Sequence, residues 1–474
     1  MATSDTDQPT EPLKGQELKS NSIGYDDLTP SQKEACDGIV DFLCGPLDES
    51  EKILTGYAGT GKTTVIAIAI KRALEESKGL SESDILLAGP THKACRVVSA
   101  SFAAAGLRLD VATYASMLGM RGKIDEATGE EIFSPDPSAP ECFSKYPIVI
   151  ADEGSQASHS LKELIDERIN LLQRIVWIGD RAQLPPIEKP PKDSTPPHES
   201  PVFSLPGWNL EEIVRYDGNL AYLAEALRQD LTSPNLPPIR DFADEETVFC
   251  HPRPRWTSEL LKAFTSEASL ADPDHVRVLA WRNETVAAHN RVIHRARFGP
   301  SAPEFCEGET VVANKPCLLE PRILGIPPQV LLTNGSEAKI VARREGVILD
   351  VPVLLLDCIT EFSQEITLKV VSKGGQRPYN ARRQNLKRRA LQADRLDRGR
   401  AWVSYYQFEE EFHPVSLAYS LTVHKSQGST FRNVYVDNGD ICSLRGTGDR
   451  IILRNKLFYV ATTRASDAAH FKAA

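Results

Sequence analysis

Residues 51–74 read EKILTGYAGTGKTTVIAIAIKRAL, a short apolar run followed by a glycine-rich turn and a helical stretch. The turn fits the pattern G-x-x-x-x-G-K-[ST], in which backbone N–H groups converge on phosphate oxygens at a helix N-terminus. A turn without a ligand is the alternative, and the flanking strand and helix disfavour it. We predict a phosphate-binding loop whose nucleotide contacts come from Gly56, Ala58, Gly59, Thr60, Gly61, Lys62, Thr63 and Thr64.

A loop of this kind needs catalytic side chains around it. Lys62 is expected to reach the β- and γ-phosphates of ATP, and the Thr63 hydroxyl is expected to hold Mg²⁺. Asp152 and Glu153 follow the apolar run 148–150, so Asp152 can complete the Mg²⁺ shell and Glu153 can deprotonate the attacking water. Gln183 follows the next apolar run and can gain or lose one hydrogen bond on hydrolysis. Solvated acids and a polar turn are the alternatives for these positions.

The spacing of apolar runs indicates the fold class. Runs at 53–54, 85–87, 148–150 and 175–178 alternate with helical stretches and are soon followed by Gly, Asp or Pro. Central strands of a parallel sheet covered on both faces have this pattern. A second series has runs at 276–281 and 434–436 and a closing helix near 456–464. We predict an α/β fold with two parallel-sheet units.

Composition limits the classes of function. The chain has 474 residues, of which 41% are hydrophobic and 25% charged, as in an ordinary globular protein of several domains. No run of about 18 apolar residues occurs, so we expect no membrane span. The net charge of −10 excludes a globally basic nucleic-acid coat protein. Nine scattered cysteines without a Cys-x-x-Cys pair predict a reducing, cytoplasmic location and no structural zinc; a nuclear location stays open.

Taken in order, the motifs resemble those of class B of the superfamily 1 DNA helicases, the group of RecD and Dda. The resemblance covers most of residues 28–474. The matching segments are LTPSQ at 28–32, GYAGTGKTT at 56–64, PTHKA at 90–94, ATYASML at 112–118, DEGS at 152–155, GDRAQLPP at 179–186, LEEIVR at 210–215, TVHKSQG at 422–428 and YVATTRA at 459–465.

The resemblance implies two RecA-like domains and assigns further side chains. Gln32 would read adenine, and Gln427 and Gly428 would lie at the nucleotide. Hydroxyls and imidazoles at strand ends suit phosphate oxygens of a bound strand. The implied DNA contacts are Thr91, His92 and Thr113 in the first domain and Thr422 and His424 in the second. Taken alone, either histidine is better explained by a structural role.

Hydrolysis of ATP at the loop is expected to need a cation from outside the first sheet. A domain that hydrolyses ATP only when closed needs a positive charge from elsewhere to stabilise the transferring phosphoryl group. Arg215 and Arg464 are the candidates, and both are expected to come from the second α/β unit. A lone arginine is otherwise a surface residue with a weak ion pair.

Three segments fall outside the two α/β units. The turn-rich stretch 119–147 is expected to form a hairpin that separates strands, with Ile132 or Phe133 against the first base pair or in the core. The run 377–400 has nine basic and two acidic residues, which fits DNA phosphates and a solvated helix almost equally. The predicted divisions are an acidic disordered tail at 1–27, domain 1A at 28–118 and 148–213, hairpin 1B at 119–147, domain 2A at 214–304 and 413–474, and a β-rich, SH3-like domain 2B at 305–412.

We expect an ATP-dependent DNA helicase that acts as a monomer on single-stranded DNA and on junctions of single and double strands. The resemblance implies 5′ to 3′ movement, and composition and spacing do not show polarity. Single-strand-binding, replication or recombination proteins are candidate partners. An RNA helicase or RNP remodeller is one alternative, since no residue marks a contact to a 2′-hydroxyl. An ATP-switched loader without unwinding is another.

Overall fold

The phosphate-binding loop lies in an α/β unit that we call the first lobe. The computed structural model describes residues 23–124, 131–136, 139–186, 199–212, 214, 218–321 and 329–473. The helices and strands of the first lobe are α1 (Pro30–Cys44), β1 (Glu51–Gly56), α2 (Lys62–Glu76), β2 (Ile85–Gly89), α3 (His92–Ala104), β3 (Asp110–Thr113), α4 (Tyr114–Met117), β4 (Met120–Ile124), β5 (Glu131–Pro135), β6 (Ile148–Ala151), α5 (His159–Asp166), β7 (Arg174–Gly179) and β8 (Gly207–Leu210).

A parallel sheet forms the centre of the first lobe. Its described strands lie in the order β3-β2-β6-β7-β1-β8. Strands β2, β6 and β7 are buried along their whole length, because apolar helix residues cover both faces of the sheet. Since all paired strands are parallel, their carboxyl ends meet at one edge, and the loops that follow β1, β2, β6 and β7 lie there together.

The rest of the chain contains a second α/β unit interrupted by other elements. In chain order these are α6 (Gly218–Gln229), β9 (Val248–His251), α7 (Arg253–Phe264), α8 (Glu267–Ala271), β10 (Val276–Ala280), α9 (Asn283–Phe298), β11 (Thr310–Ala313), β12 (Cys317–Leu318), β13 (Val330–Leu332), β14 (Glu337–Ile348), β15 (Val351–Thr360), β16 (Glu365–Val371), α10 (Gln376–Gln392), α11 (Arg398–Glu410), β17 (Val415–Leu417), β18 (Ser420–Thr422), β19 (Phe431–Val436), α12 (Asn438–Ile441), α13 (Asp449–Thr462) and β20 (Ala465–Lys472).

A second parallel sheet defines the second lobe. Its strands lie in the order β18-β10-β19-β20-β9 among the described residues. The core on one face joins α6 and α13 to the sheet, and the other face packs on α7. The predicted fold class, an α/β protein with two parallel-sheet domains, is confirmed.

An antiparallel sheet lies between the halves of the second lobe, and we call residues 310–417 the insert. Its strand order is β16-β15-β14-β11-β17. Strand β17 begins at residue 415 and pairs with β11, so the sheet of the insert continues past residue 412, the predicted end of domain 2B. The basic segment forms helices α10 and α11, which pack against each other, rather than strands. The SH3-like classification stays a prediction, as do the domain divisions.

The insert also contacts the first lobe, through a set of contacts that we call the bridge. Arg96 of α3 pairs with Glu361 at 2.8 Å, and its guanidinium lies 5.0 Å from the ring centre of Phe362. Lys93 of α3 lies 3.5 Å from Glu337 of β14. The bridge joins the helix that follows the PTHKA motif to a sheet that belongs to the second half of the chain.

A buried cluster fastens the insert to α9. The fully buried Glu309 carboxylate accepts hydrogen bonds from the Tyr419 hydroxyl at 2.7 Å and the Cys306 N–H at 2.6 Å, and His294 Nδ1 lies 2.7 Å from it. His294, Cys306 and Glu309 are also close enough together to hold a metal ion. These hydrogen bonds already engage the carboxylate and the imidazole, so the cluster has a structural explanation.

The predicted disordered tail at 1–27 includes residues at its end that have a defined structure. Residues Tyr25–Asp27 form a 3₁₀ turn, the Tyr25 hydroxyl donates to Asp37 at 2.8 Å, and the Arg72 guanidinium lies 4.4 Å from the Tyr25 ring centre. The cause is this aromatic contact, which fixes the segment against α1 and α2. Residues 1–22, the other part of the predicted tail, lie outside the described residues.

The predicted hairpin contains strands β4 and β5, which pair in antiparallel register with Gly122 opposite Phe133. The side chains of Ile132 and Phe133 lie outside what the structure describes, so the wedge residue stays a prediction.

All nine cysteines lie in described segments, and none forms a disulfide. Among the described residues, the helices are too short or too polar for any of them to cross a bilayer.

Candidate nucleotide site and nucleic-acid cleft

The glycine-rich loop between β1 and α2 has the backbone shape that its glycines predict. Gly59 and Gly61 have φ of 85° and 78°, in the left-handed region that favours glycine. A Cβ on Gly56 would lie 2.7 Å from the Thr60 hydroxyl oxygen and 2.9 Å from the Leu210 carbonyl oxygen. The loop is therefore held close to β8, and α2 begins at Lys62 with its N-terminus at the loop.

Lys62 lies over the loop as the motif predicts. Its ammonium donates to the carbonyl oxygens of Gly56 at 2.7 Å and Tyr57 at 2.8 Å. A charge held at this position faces any phosphate group bound by the loop amides. Thr63 and Thr64 follow in the first turn of α2 and are partly exposed.

Gln32 contacts the same loop from α1. Its side-chain carbonyl accepts from the Thr29 N–H at 3.0 Å, and its amide donates to the Thr60 carbonyl at 3.0 Å. The first bond completes a capping box at the start of α1, and the second fixes the loop to that helix. The structure thus places Gln32 beside the loop, while its contact with adenine stays a prediction.

The carboxylates of Asp152 and Glu153 follow β6 at the same edge of the sheet. Desolvation by the surrounding protein raises the pKa of Asp152. Desolvation, followed by the neighbouring Asp152 carboxylate, raises the pKa of Glu153 to about 7, against the opposing effects of Arg464 and Lys62. Glu153 also has φ of 55°, an uncommon conformation for a residue with a side chain. A base with a pKa near neutrality suits proton abstraction from water.

Two buried side chains that the sequence reasoning did not select complete a contact between the lobes. The Ala58 N–H in the loop donates both to Asp180 at 3.0 Å and to the Tyr459 hydroxyl oxygen at 3.0 Å. The Tyr459 hydroxyl in turn donates to Asp180 at 2.8 Å. Asp180 follows β7 in the first lobe, and Tyr459 belongs to α13 in the second. Asp180 belongs to the GDRAQLPP motif and Tyr459 to the YVATTRA motif, so their place in these motifs was the sequence signal that could have identified them.

Arginines of the second lobe lie near the loop and the Glu153 carboxylate. Arg464 is buried, donates to the Ser429 carbonyl at 3.3 Å and lies near enough to Glu153 to lower the pKa of that carboxyl. Arg228 of α6 lies with its guanidinium 3.2 Å from the ring centre of Tyr57 in the loop. The sequence analysis did not select Arg228, because an arginine in an amphipathic helix is too common to indicate a functional role. Arg215 lies outside the described residues.

Four buried polar atoms around this seam have no hydrogen-bond partner among the described residues. They are Gln183 Oε1, Gln427 Nε2, Arg228 Nη1 and Arg464 Nε. Unpaired buried polar groups are rare and are retained where a ligand, ion or water completes them. Gln427 Nε2, Arg228 Nη1 and Arg464 Nε are donors from the second lobe, and they fit an anionic ligand bound between the lobes. Gln183 Oε1, from the loop that follows β7 in the first lobe, is an acceptor.

A cleft of about 670 Å³ runs between the lobes beside the carboxylate of Glu153. It is lined by residues from the first lobe, the second lobe and the turn before β14, among them Thr91, Lys93, Trp281, Asn283, Asn334, Gly335, Thr422, His424, Lys425, Gln427 and Gly428. Three of the predicted DNA contacts, from two different sheets, thus meet in one cleft.

Local hydrogen bonds explain how those side chains are placed. The Thr91 hydroxyl oxygen accepts from the Ala94 N–H at 3.1 Å, and that of Thr422 accepts from the Lys425 N–H at 3.3 Å. Each caps the turn that follows its strand, which leaves the hydroxyl at the cleft. Thr113 does the same for α4 and is buried, and neither Thr113 nor the exposed His92 is among the residues that line the cleft.

Two family models match the chain, an AAA domain at residues 27–240 and a UvrD-like helicase C-terminal domain at residues 417–471. An uncharacterized protein of Acanthamoeba polyphaga mimivirus is 25% identical, with 88% of this chain and 94% of that protein covered. The ATP-dependent DNA helicase dda of Enterobacteria phage T4 is 26% identical, with 67% of this chain and 68% of that protein covered.

The fold has a similar solved structure, a Pif1 helicase from a study of DNA unwinding at forked dsDNA. The TM-score is 0.50 at 17% identity, with 94% of this chain and 91% of that chain covered. A phosphate-binding loop on one parallel sheet, completed by groups from a second parallel sheet, defines a two-lobed P-loop ATPase. Both family models and these relatives support a superfamily 1 class B DNA helicase, an ATP-driven enzyme.

Proposed function

We propose that the protein is an ATP-dependent DNA helicase that moves 5′ to 3′ along single-stranded DNA and unwinds duplex DNA. The observation that carries the proposal is the contact of second-lobe groups with the loop of the first lobe: the Tyr459 hydroxyl at Ala58 and the Arg464 guanidinium near Glu153. Such an arrangement links the spacing of the lobes to the state of a nucleotide between them. The relative dda is itself named an ATP-dependent DNA helicase.

The residues present fit ATP and Mg²⁺. The unpaired donors at the seam, Gln427 Nε2, Arg228 Nη1 and Arg464 Nε, and the left-handed glycines of the loop suit a triphosphate. Thr63 and Asp152 would hold Mg²⁺, whose charge would neutralise the phosphate oxygens when bound. Gln32, Gln427 and Gly428 stay our proposals for contacts to the rest of the nucleotide.

The side chains of this chain then have distinct roles in hydrolysis. Glu153 orients the attacking water and accepts its proton, since its carboxylate stands at the cleft with a pKa near neutrality. Lys62, Arg464 and Arg228 place positive charge around the transferring phosphoryl group. Gln183 contributes an amide that changes hydrogen bonds as the phosphate leaves. Arg215 stays a proposal from the sequence.

Movement along DNA follows if the cleft holds the strand. Thr91 belongs to the first lobe and Thr422 and His424 belong to the second, so each lobe has its own contacts to phosphate oxygens. Closing and opening of the lobes around ATP would shift one set of contacts relative to the other. The hairpin of β4 and β5 is our proposed separator of the strands.

The test combines ATPase and unwinding measurements on the full chain. We expect single-stranded DNA to raise the ATPase rate more than RNA of equal length does, and unwinding of duplexes with a 5′ overhang. Unwinding confined to a 3′ overhang would contradict the polarity. Stronger stimulation by RNA would favour the RNP remodeller, and ATP binding without stimulated turnover would favour the loader.

His424→Ala is expected to weaken the coupling between DNA and hydrolysis. The imidazole lies in the cleft, and burial lowers its pKa, so it acts at neutral pH as an uncharged hydrogen-bonding group. Loss of one hydrogen bond to phosphate should raise the DNA concentration for half-maximal ATPase by about tenfold, with the KM for ATP unchanged. His159→Ala, in the first lobe, is the control. Normal DNA stimulation of the His424 variant would rule out this role.

Tyr459→Phe tests the contact between the lobes. The variant lacks one hydroxyl that bonds Ala58 and Asp180, which should lower the DNA-stimulated kcat about fivefold, equivalent to about 1 kcal/mol. Tyr435→Phe removes the same atom from the other face of the second sheet and should leave kcat unchanged. Equal effects of the two substitutions would show that the contact has no special part in turnover.

A further inference from the structure

Helix α10 concentrates positive charge in an acidic protein. Its seventeen residues, QRPYNARRQNLKRRALQ, contain six arginines or lysines and no acid, while the whole chain has a net charge of −10. Like charges four residues apart, such as Arg383 and Lys387, destabilise a helix. A polyanion that neutralises these charges would therefore stabilise the helix.

One face of α10 is used for packing. Tyr379 stacks on Phe408 of α11 with ring centres 5.5 Å apart, and Leu386 and Ala390 belong to the same apolar contacts. Arg383 pairs with Glu409 of α11, so this cation is already neutralised. The aromatic side chain of the helix thus faces the insert, and the helix is held firmly in place.

The remaining, solvent-exposed surface of α10, which we call the basic face, presents unneutralised cations: Arg377 and Arg388 lie opposite the packed side, and Lys387 and Arg389 lie on its two flanks. Arg377, Lys387, Arg388 and Arg389 are exposed, and the described residues give them no ion pair or hydrogen bond. Asn380 and Gln384 are exposed between them. This face has charge and hydrogen-bond donors and no aromatic ring. Proteins that bind single strands stack bases on aromatic rings, whereas duplex DNA is held through its phosphates.

The position of α10 separates it from the cleft. Asn334 and Gly335 line the cleft just before β14 begins, and the twelve residues of β14 then extend to Ile348. At about 3.3 Å per residue this strand is about 35 Å long. Arg382 of α10 donates to the Leu349 carbonyl, at the far end of that strand. The part of α10 around Arg382 therefore lies at the end of β14 that is farther from the cleft.

We infer that the exposed face of α10 binds the phosphate backbone of duplex DNA outside the cleft. The inference rests on the proposed function, because it assigns a second contact to the same nucleic-acid substrate. Duplex DNA carries about one charge per 1.7 Å of its axis, twice the density along one strand, which matches closely spaced cations better than a single strand does. The contact would be independent of base sequence.

The experiment compares two variants of the full chain with equal loss of charge. One carries Arg377→Gln, Lys387→Gln, Arg388→Gln and Arg389→Gln. The control carries Arg253→Gln, Arg255→Gln, Arg291→Gln and Arg295→Gln, which removes four exposed cations from α7 and α9. Binding of a blunt-ended duplex is measured by fluorescence anisotropy across a salt series, and single-stranded DNA stimulation of the ATPase is measured in parallel.

We expect the α10 variant to bind the duplex at least tenfold more weakly at low salt, and we expect the magnitude of the slope of log affinity against log salt to fall by about 3.6. The control should keep wild-type affinity. Thermal midpoints equal to wild type would show that both variants are folded. Unchanged duplex affinity of the α10 variant, or an equal loss in the control, would overturn the inference. Loss of binding to polyglutamate with duplex affinity retained would assign the face to an acidic protein instead.

The two proposals fail separately in this design. A wild-type ATPase that ignores single-stranded DNA would remove the proposed function, and the duplex measurement would still report on α10. A wild-type ATPase that responds to single-stranded DNA, together with an α10 variant whose duplex binding is intact, would remove only the inference about α10.

Discussion

Replacing Lys62 with alanine is expected to lower the kcat for ATP hydrolysis about a thousandfold. The ammonium is held over the loop by the carbonyl oxygens of Gly56 and Tyr57, so it stands ready to face phosphate oxygens without rearrangement of the backbone. Its loss removes the positive charge nearest the β- and γ-phosphates. The measurement is steady-state phosphate release with saturating single-stranded DNA.

The matched control for Lys62→Ala is Lys78→Ala, which removes an exposed lysine just after the same helix. This control should have wild-type turnover. A Lys62 variant that keeps more than a tenth of the wild-type kcat would contradict the role of the loop in hydrolysis. Since the loop backbone is set by its glycines, the circular dichroism spectrum of the variant should equal that of wild type.

Glu153→Gln should separate ATP binding from ATP hydrolysis. The amide keeps the shape of the side chain and cannot accept the proton of the attacking water, so kcat should fall about 10²- to 10⁴-fold while ATP still binds. With ATP bound and not hydrolysed, the lobes should stay closed on single-stranded DNA. The measurement is DNA dissociation with and without ATP, with Glu163→Gln on the exposed side of α5 as the control.

The pH dependence of ATP hydrolysis is a second test of Glu153 as the base. Its carboxyl has a raised pKa of about 7, so it is protonated below that pH and becomes a base as the pH rises through it. The wild-type kcat/KM for ATP should therefore increase with pH up to about 7 and level off above it. The residual turnover of Glu153→Gln should lack this step. Rapid turnover by the variant, or an unchanged profile, would refute the assignment of the base.

Sequence patterns predicted the first lobe well because its functional groups follow local rules. A strand, glycines and a helix start determine the place of Lys62, and a strand end determines that of Glu153. The edge where these groups meet follows from parallel pairing alone. Gln32 was likewise found beside the loop, although its two hydrogen bonds to the protein depend on the exact start of α1.

Contacts between the lobes were harder to predict, because they depend on the assembly of distant segments. Arg228 contacts Tyr57 across 171 residues of chain, and the pattern around it is that of any amphipathic helix. The pairing of β17 with β11 likewise joins segments that are distant in the chain, and composition does not show it. The charge of α10 was visible in the sequence, whereas the face on which it is exposed required the packing of α11.

The bridge has a mechanical consequence for the motor. Because the insert touches α3 through Arg96 and Lys93 as well as belonging to the second half of the chain, the two lobes are tied along one side. Two lobes that are joined along one margin open by a hinge motion about that margin and do not separate in parallel. If the lobes open and close around ATP as we propose, displacement would be greatest at the margin far from the bridge, and the distance advanced in each cycle would depend on how far a bound strand lies from the bridge.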